Sequence, residues 1–247
     1  MNVHSLLVAA EVGLAVVTFV ALMVLTAPYG RHARPGWGPE LPGRIAWIFM
    51  EAPAVFGFLA IFWFGANKVA LVPLVMLTIW QVHYVHRTLV FPFRMRSPRP
   101  MPFAIAATGF AFNGLNAYVN ARWISHLGDY APSWLLDPRF LSGVAVFGVG
   151  LAVNLHSDHV LRNLRAPGET GYKIPEGGMY RFVSCPNYLG EILEWLGWAL
   201  LTWSWAGLAF ALYAMANLVP RALQNHRWYQ EKFAAYPRRK AVFPGLL

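Results

Sequence analysis

The chain has 247 residues, 57% of them hydrophobic and only 13% charged, and a formal net charge of +9 at pH 7. Soluble domains average about 45–50% apolar and about 25% charged residues, so the composition excludes intrinsic disorder and argues against a soluble globule. A single cysteine excludes a disulfide scaffold and a multi-thiolate zinc site. A basic balance on so apolar a chain fits membrane-spanning helices joined by basic loops rather than a nucleic-acid binder.

A membrane-spanning helix needs about 20 consecutive, mostly apolar residues. In chain order, seven segments meet or approach that length: 6–26, 45–64, 69–90, 101–123, 140–155, 188–203 and 206–223. The first lacks a basic leading region, and its apolar run exceeds the roughly 7–15 residues of a signal peptide, so it reads as a retained span. Only Gly65–Lys68 separates the second span from the third, and only Ser204–Ala206 the sixth from the seventh, so each pair is antiparallel. Prolines at 98, 100 and 102 mark 97–102 as a tight connector. The expected fold is one all-α integral membrane domain over 1–247 with seven transmembrane helices.

Of the 20 Lys and Arg residues, sixteen fall in the first, third and fifth loops and the C-terminal tail. Lys68, Arg122 and Arg139 lie on the other side, and Arg87 lies within the third span. The positive-inside rule then places the N-terminus outside and the C-terminus in the cytoplasm.

Ionisable groups inside spans are costly and mark function by default. Glu51 lies in span two; His83, Tyr84, His86 and Arg87 end span three; Asn154, His156 and Asp158 end span five; Glu191 and Glu194 lie in span six. Glu11 stands alone in span one and receives no role. Helical spacing sorts most of the others into stripes. Asn154, Asp158, Arg162 and Arg165 share one face if the fifth helix continues. Asn187, Glu191 and Glu194 share a second, and Arg221, Asn225 and Tyr229 a third. All three lie at cytoplasmic helix ends, which suggests a cavity for a large polar ligand. The guanidinium fork suits phosphates, while acids and amides suit ribose hydroxyls and a carboxamide, so the inventory fits a phosphorylated nucleotide cofactor. The plainer alternative makes the arginines membrane anchors and pairs Glu191 and Glu194 with them. Gly148-Val149-Gly150 is half a dinucleotide fingerprint, but it lies in an apolar helix with no third glycine and is not a Rossmann turn. No metal site is expected.

Several strings resemble the membrane steroid 5-alpha-reductases (3-oxo-5-alpha-steroid 4-dehydrogenases). They are Asn-Leu-His-Ser-Asp at 154–158, Leu-Arg-Asn-Leu-Arg-Ala-Pro-Gly-Glu at 161–169, Tyr-Lys-Ile-Pro-Glu-Gly-Gly-Met-Tyr at 172–180, Asn-Tyr-Leu-Gly-Glu-Ile-Leu-Glu-Trp at 187–195 and His-Arg-Trp-Tyr at 226–229. The N-terminal half adds Tyr29-Gly30-Arg31-His32, Glu51 before Pro53, and His-Tyr-Val-His-Arg-Thr at 83–88. The C-terminal strings also resemble other membrane reductases, of sterols, enoyl thioesters and polyprenols, and distantly the isoprenylcysteine methyltransferases, which use S-adenosylmethionine. Glu51 and the 83–88 string narrow the resemblance to the steroid branch.

That resemblance implies seven transmembrane helices around NADPH, with a steroid entering from the lipid side, in a bacterial-type homologue of the bacterial inner membrane. It implies cofactor contacts from Tyr29, Arg87, Arg99, Asn154, Asp158, Arg165, Asn187, Glu191, Arg221 and Tyr229. Lys173 and Asn225 join them, standing where Arg and His are common, and Met50 replaces a common Gln. Glu51 and Tyr84 are implied as the pair that holds the steroid C3 carbonyl. The implied reaction reduces the C4–C5 double bond of a 3-oxo-4-ene steroid by hydride transfer to C5, with charge building on the C3 oxygen. Tyr84 is a neutral donor at pH 7. Glu51 donates if protonated or orients Tyr84 if ionised, and the C4 proton comes from water or from this pair. No nucleic-acid or protein partner is expected. Besides an enoyl or polyprenol reductase, the rival readings are an S-adenosylmethionine-dependent methyltransferase, against which the arginines weigh because that cofactor has no phosphate, and a non-catalytic lipid-binding or scaffolding protein.

Overall fold

A computed structural model describes residues 2–96, 99–166, 169 and 171–247. The described residues form seven helical rods that coincide with the seven predicted spans. The first, α1 (Val3–Val24), starts at Asn2, whose side chain accepts from the Ser5 amide, and it exposes Val16, Val17 and Val20 on its outer face. The second, α2 (Gly43–Trp63), opens into a π-turn over Pro53–Gly57, where proline removes an amide and crowds the preceding turn. The third, α3 (residues 71–94), turns π-helical over His86–Val90, around Arg87. The fourth, α4 (residues 103–127), ends in a π-turn over Trp123–Leu127.

The last three rods are α5 (Pro138–Asn163), α6 (Pro186–Thr202) and α7 (Trp205–Lys232). Asp137 caps α5 by accepting from the Arg139 amide, and Ser204 caps α7 by accepting from the Gly207 amide. Helices α5 and α7 run past the predicted spans ending at 155 and 223, carrying Asp158, Asn225 and Tyr229 as ordered helical residues. Among the described residues four helices are long and apolar enough to cross a membrane: Val3–Val24, Gly43–Trp63, Pro138–Asn163 and Trp205–Lys232. The other three rods fall short because α3 ends in a polar turn, α4 carries buried asparagines, and α6 has only 17 residues.

Loops one and three are tied by two short antiparallel strands, β1 (Glu40–Leu41) and β2 (Met101–Pro102). Pro102 of the predicted connector is thus in β2, while Ser97 and Pro98 lie outside the described residues.

Two features of the core position the site. One is aromatic: Trp80 stacks on Phe58 at 4.4 Å, meets Tyr84, Trp195 and Trp198 at 4.8–5.5 Å, and donates its indole N–H to Ala54 O at 2.9 Å. The other is the close approach of α5 and α6. A Cβ on Gly150 would stand 2.6 Å from the Glu194 amide, and one on Gly190 would stand 2.6 Å from the Asn154 amide. These glycines therefore serve helix packing, as Gly143 and Gly197 do one heptad away. The register also sets Asn154 beside Gly190 and, one turn on, Asp158 beside Asn187. Gly150→Leu forces the two backbones apart and is expected to cost at least about 1–3 kcal/mol. Its thermal midpoint in detergent should fall clearly below wild type; an unchanged midpoint would show that the interface tolerates a side chain.

Candidate active site

The predicted stripes of α5 and α6 meet on Arg87 of α3. Its Nη2 contacts Glu191 Oε1 at 2.8 Å and its Nη1 contacts Asp158 Oδ2 at 3.5 Å, each pair mostly buried. The same guanidinium lies over the rings of Trp47 at 4.7 Å and Phe91 at 4.6 Å. Asn187 donates to Asp158 Oδ1 at 3.5 Å. Asn154 donates to Asn187 O at 3.0 Å and Glu191 Oε1 at 3.4 Å, so it props the other two from behind. An ion pair between Glu191 and an arginine is the plainer alternative of the sequence analysis, and the structure contains it.

Two stripe assignments need correction. Glu194 does not share the Glu191 site: three residues fall short of a full turn, which swings it onto His83 Nδ1 at 2.6 Å, with the pair almost fully buried. The α5 stripe also stops early, because the helix ends at Asn163. Arg162 turns to His159 at 2.9 Å, and Arg165, in the following loop, donates to Gly171 O at 3.1 Å.

Three cavities join through Tyr29 and Trp47, which line all of them. The outer one, about 530 Å³, is bordered by Arg99, Arg165, Glu169 and Tyr172. The middle one, about 290 Å³, is bordered by Arg31, His32, Arg87, Asp158, Asn187, Arg221 and Asn225. The inner one, about 160 Å³, is bordered by Glu51, Tyr84, Arg87, Tyr188, Glu191, Asn217 and Arg221. Two predicted contacts sit one step back. Lys173 pairs with Glu169 at 2.6 Å, and Tyr229 stacks on Tyr236 at 5.3 Å beneath the Arg31 guanidinium.

The cleft is electropositive and held in place by aromatic rings. Arg221 donates to Asn217 Oδ1 and to the Tyr188 hydroxyl, each at 3.1 Å, beneath the Tyr29 ring at 5.0 Å. Arg31 lies against Trp228 and Tyr229 at 5.0 and 4.6 Å. Its Nη1 is buried without a hydrogen-bond partner among the described residues. Arg99 donates to Gly30 O at 3.2 Å. Burial pushes the Tyr29 phenol up to about 12, leaving it a neutral donor. Burial also holds His32 below the usual histidine range, helped by Arg31 and Arg221. Neutral His32 can thus donate through Nε2 to Asn225 Oδ1 at 3.1 Å.

Cys185, at the start of α6, is buried, which pushes its thiol up to about 11. The thiolate is the reactive form, so iodoacetamide at pH 8 should leave the folded protein unlabelled and label it once denatured. Rapid labelling of the folded protein would contradict this burial.

At the inner end, Asn113 of α4 donates to Met50 O at 2.9 Å and Glu51 Oε2 at 3.2 Å. Tyr84 stacks on Trp195 at 5.4 Å, and its hydroxyl has no protein hydrogen bond among the described residues. Sequence reasoning gives no role to Arg31, Trp47, Asn113, Tyr188 or Asn217. Asn217 is findable one turn before Arg221, and Tyr188 one turn before Glu191. Asn113 is findable as an amide inside an apolar span.

Residues 99–247 match the family model described as 3-oxo-5-alpha-steroid 4-dehydrogenase. The chain is 45% identical over 251 residues to a steroid 5-alpha-reductase of Solanum lycopersicum, covering 99% of this chain and 97% of the relative. It is 46% identical over 242 residues to the 3-oxo-5-alpha-steroid 4-dehydrogenase 1 of Bos taurus, with 96% and 94% covered, and 43% identical over 223 residues to that of Homo sapiens, with 88% and 85% covered. The chain belongs to the 3-oxo-5-alpha-steroid 4-dehydrogenase family. Membership makes it an enzyme, an oxidoreductase of the kind its motifs imply. The family match begins at Arg99 and takes in the polar residues of α5, α6 and α7; Glu51 and Tyr84 precede it, within the span of the nearly full-length matches.

Proposed function

We propose that this chain is a multi-pass integral membrane enzyme, of the bacterial inner membrane, that reduces the C4–C5 double bond of 3-oxo-4-ene steroids with NADPH. The loop charges support an N-terminus outside and a C-terminus in the cytoplasm. The observation that carries the reading is a cavity bordered by Glu51 and Tyr84 that opens, past Tyr29 and Trp47, onto a cleft of arginines.

The cleft residues fit a phosphorylated nucleotide. Arg31 Nη1 is buried without a partner among the described residues, and a buried donor left unpaired is costly; a phosphate oxygen would satisfy it. Arg99 and Arg165 in the outer cavity would take further phosphate oxygens, while Asp158 and Asn187 suit ribose hydroxyls or a carboxamide. S-adenosylmethionine has no phosphate to offer these groups, which weighs against the methyltransferase alternative.

When bound, the nicotinamide supplies a hydride to C5. The chain's own residues handle the charge that follows. Tyr84 donates to the C3 oxygen as it becomes an enolate. Asn113 holds Glu51 Oε2, leaving Oε1 to face the C3 oxygen or the Tyr84 hydroxyl. A proton from this pair or from water completes C4, giving the 5-alpha-3-oxosteroid. The apolar outer faces of the helices suit a substrate that arrives through the bilayer.

The test is to denature the purified protein and identify released small molecules by mass spectrometry, then to measure thermal stability with added NADPH. Release of an NADP species, or a raised midpoint with NADPH, is expected; at 100 times Kd the gain is about 2.7 kcal/mol. Release of an S-adenosyl compound, or neither release nor stabilisation by NADPH, would overturn the proposal.

A further inference from the structure

Helix α1 buries only His4, Glu11 and Ala15. Their spacing of seven and four residues makes them one stripe against the bundle. Glu11 is fully buried, yet both carboxyl oxygens lack a partner among the described residues. An unpartnered carboxyl inside an apolar helix is costly, and such residues mark function by default.

Two anchors fix its depth. His4 Nε2 meets Val119 O of α4 at 2.9 Å. Seven residues on from His4 is Glu11, and seven back along antiparallel α4 is Phe112. Near the other end, Gln224 of α7 donates to Leu22 O. Eleven residues back from Leu22 is Glu11, and eleven back along parallel α7 is Tyr213. The counts converge, because the Phe112 and Tyr213 rings stack at 3.5 Å. Both rings border the inner cavity. Asn113, next to Phe112, is the residue that holds Glu51. Glu11 and Glu51 therefore sit at one depth, on opposite sides of the α4–α7 seam.

We infer that Glu11 is a specificity-determining residue that hydrogen-bonds the oxygen substituent at C17 of the steroid. The inference rests on the reaction proposed above. With the C3 oxygen at Glu51 and Tyr84, the long axis of the substrate crosses the Phe112–Tyr213 pair. One helix layer is about 8–10 Å, comparable to the length of four fused rings, so the D ring arrives at α1. The inner cavity is about 160 Å³, whereas pockets for drug-sized ligands span about 300–1,000 Å³, so the inference requires the stacked ring pair to part as the substrate enters. A protonated carboxyl offers a donor and an acceptor and an ionised one acceptors only, which suits a C17 hydroxyl in either form and a C17 ketone in the first.

The experiment compares wild type, Glu11→Leu and Glu11→Gln on three 3-oxo-4-ene steroids that differ only at C17: hydroxyl, ketone and no oxygen. Glu11→Leu should lower kcat/KM for the oxygenated substrates relative to the deoxy one by about 10- to 100-fold. Glu11→Gln, which keeps a donor and an acceptor, should hold the ratio within a few-fold of wild type. Leucine suits this apolar seam, so the thermal midpoint of Glu11→Leu should equal or exceed wild type. If all three substrates rise or fall together in Glu11→Leu, the inference is wrong. If wild type reduces none of them, the reaction proposed above is overturned, and the inference with it.

Discussion

Tyr84→Phe is expected to lower turnover by about 10²- to 10³-fold, the usual loss when one preorganised oxyanion donor is removed, while leaving NADPH binding intact. The expectation rests on position. The Tyr84 ring is clamped by Trp80 and Trp195 at 4.8 and 5.4 Å, so removing the hydroxyl leaves the ring where it was. The hydroxyl has no protein partner to release among the described residues. The Arg87 guanidinium and the cleft beyond it are untouched. Glu51→Gln should behave alike, because the amide can still reach Asn113 but can neither give up a proton nor accept one as a carboxylate. For both variants the checks are single-turnover kinetics and the NADPH-induced rise in thermal midpoint. Slow chemistry with an unchanged rise supports the assignment; loss of both together points to misfolding and removes Glu51 and Tyr84 from catalysis.

Arg87→Ala should produce the largest loss of stability. Arg87 joins α3, α5 and α6 through Asp158 and Glu191, and removing it leaves two carboxylates facing each other in a mostly buried site. Breaking one partner out of a buried ion pair costs about 3–5 kcal/mol, and here two pairs lose the same partner. Arg87→Lys keeps the charge, but a single ammonium cannot bridge both carboxylates as the fork does, so it should fall between wild type and alanine. Thermal midpoints in detergent order the three proteins. A double-mutant cycle with Glu191→Gln should return a coupling within the roughly 0.5–3 kcal/mol seen for residues in contact. Additive effects would mean that Arg87 and Glu191 are neighbours without interacting.

Much of this is legible in the amino-acid sequence, for physical reasons. Apolar runs of membrane length report helices directly, so seven segments can be counted. Residues spaced four apart on one helix share a face, so the Asn154/Asp158 and Asn187/Glu191 pairs group within their helices. What the sequence does not report is which face turns toward which neighbour. Glu194 and Glu191 look equivalent along α6, yet one meets His83 and the other Arg87, because α3 packs against two sides of the same turn. Periodicity also does not say where a helix stops in polar sequence, which is why spacing puts Arg165 on a helix that in fact ends at Asn163. Arg31 is invisible as a site residue because loops carry no periodicity, and its place depends on Trp228 and Tyr229, nearly two hundred residues later. Glu11 stands out along the chain but shows no partner there, since only packing buries its side chain against the bundle.

The central claim is that the cavity at Glu51 and Tyr84 directs a hydride to C5 of a 3-oxo-4-ene steroid. The most direct measurement is to incubate the purified protein with NADPH deuterated at the transferring position and such a steroid, and to locate the label in the product by NMR. One deuterium is expected, on the alpha face at C5, with the C3 ketone intact, and Tyr84→Phe should give the same labelled product about 10²- to 10³-fold more slowly. Deuterium at C3 of an alcohol, or an unlabelled and unreduced steroid, would contradict it.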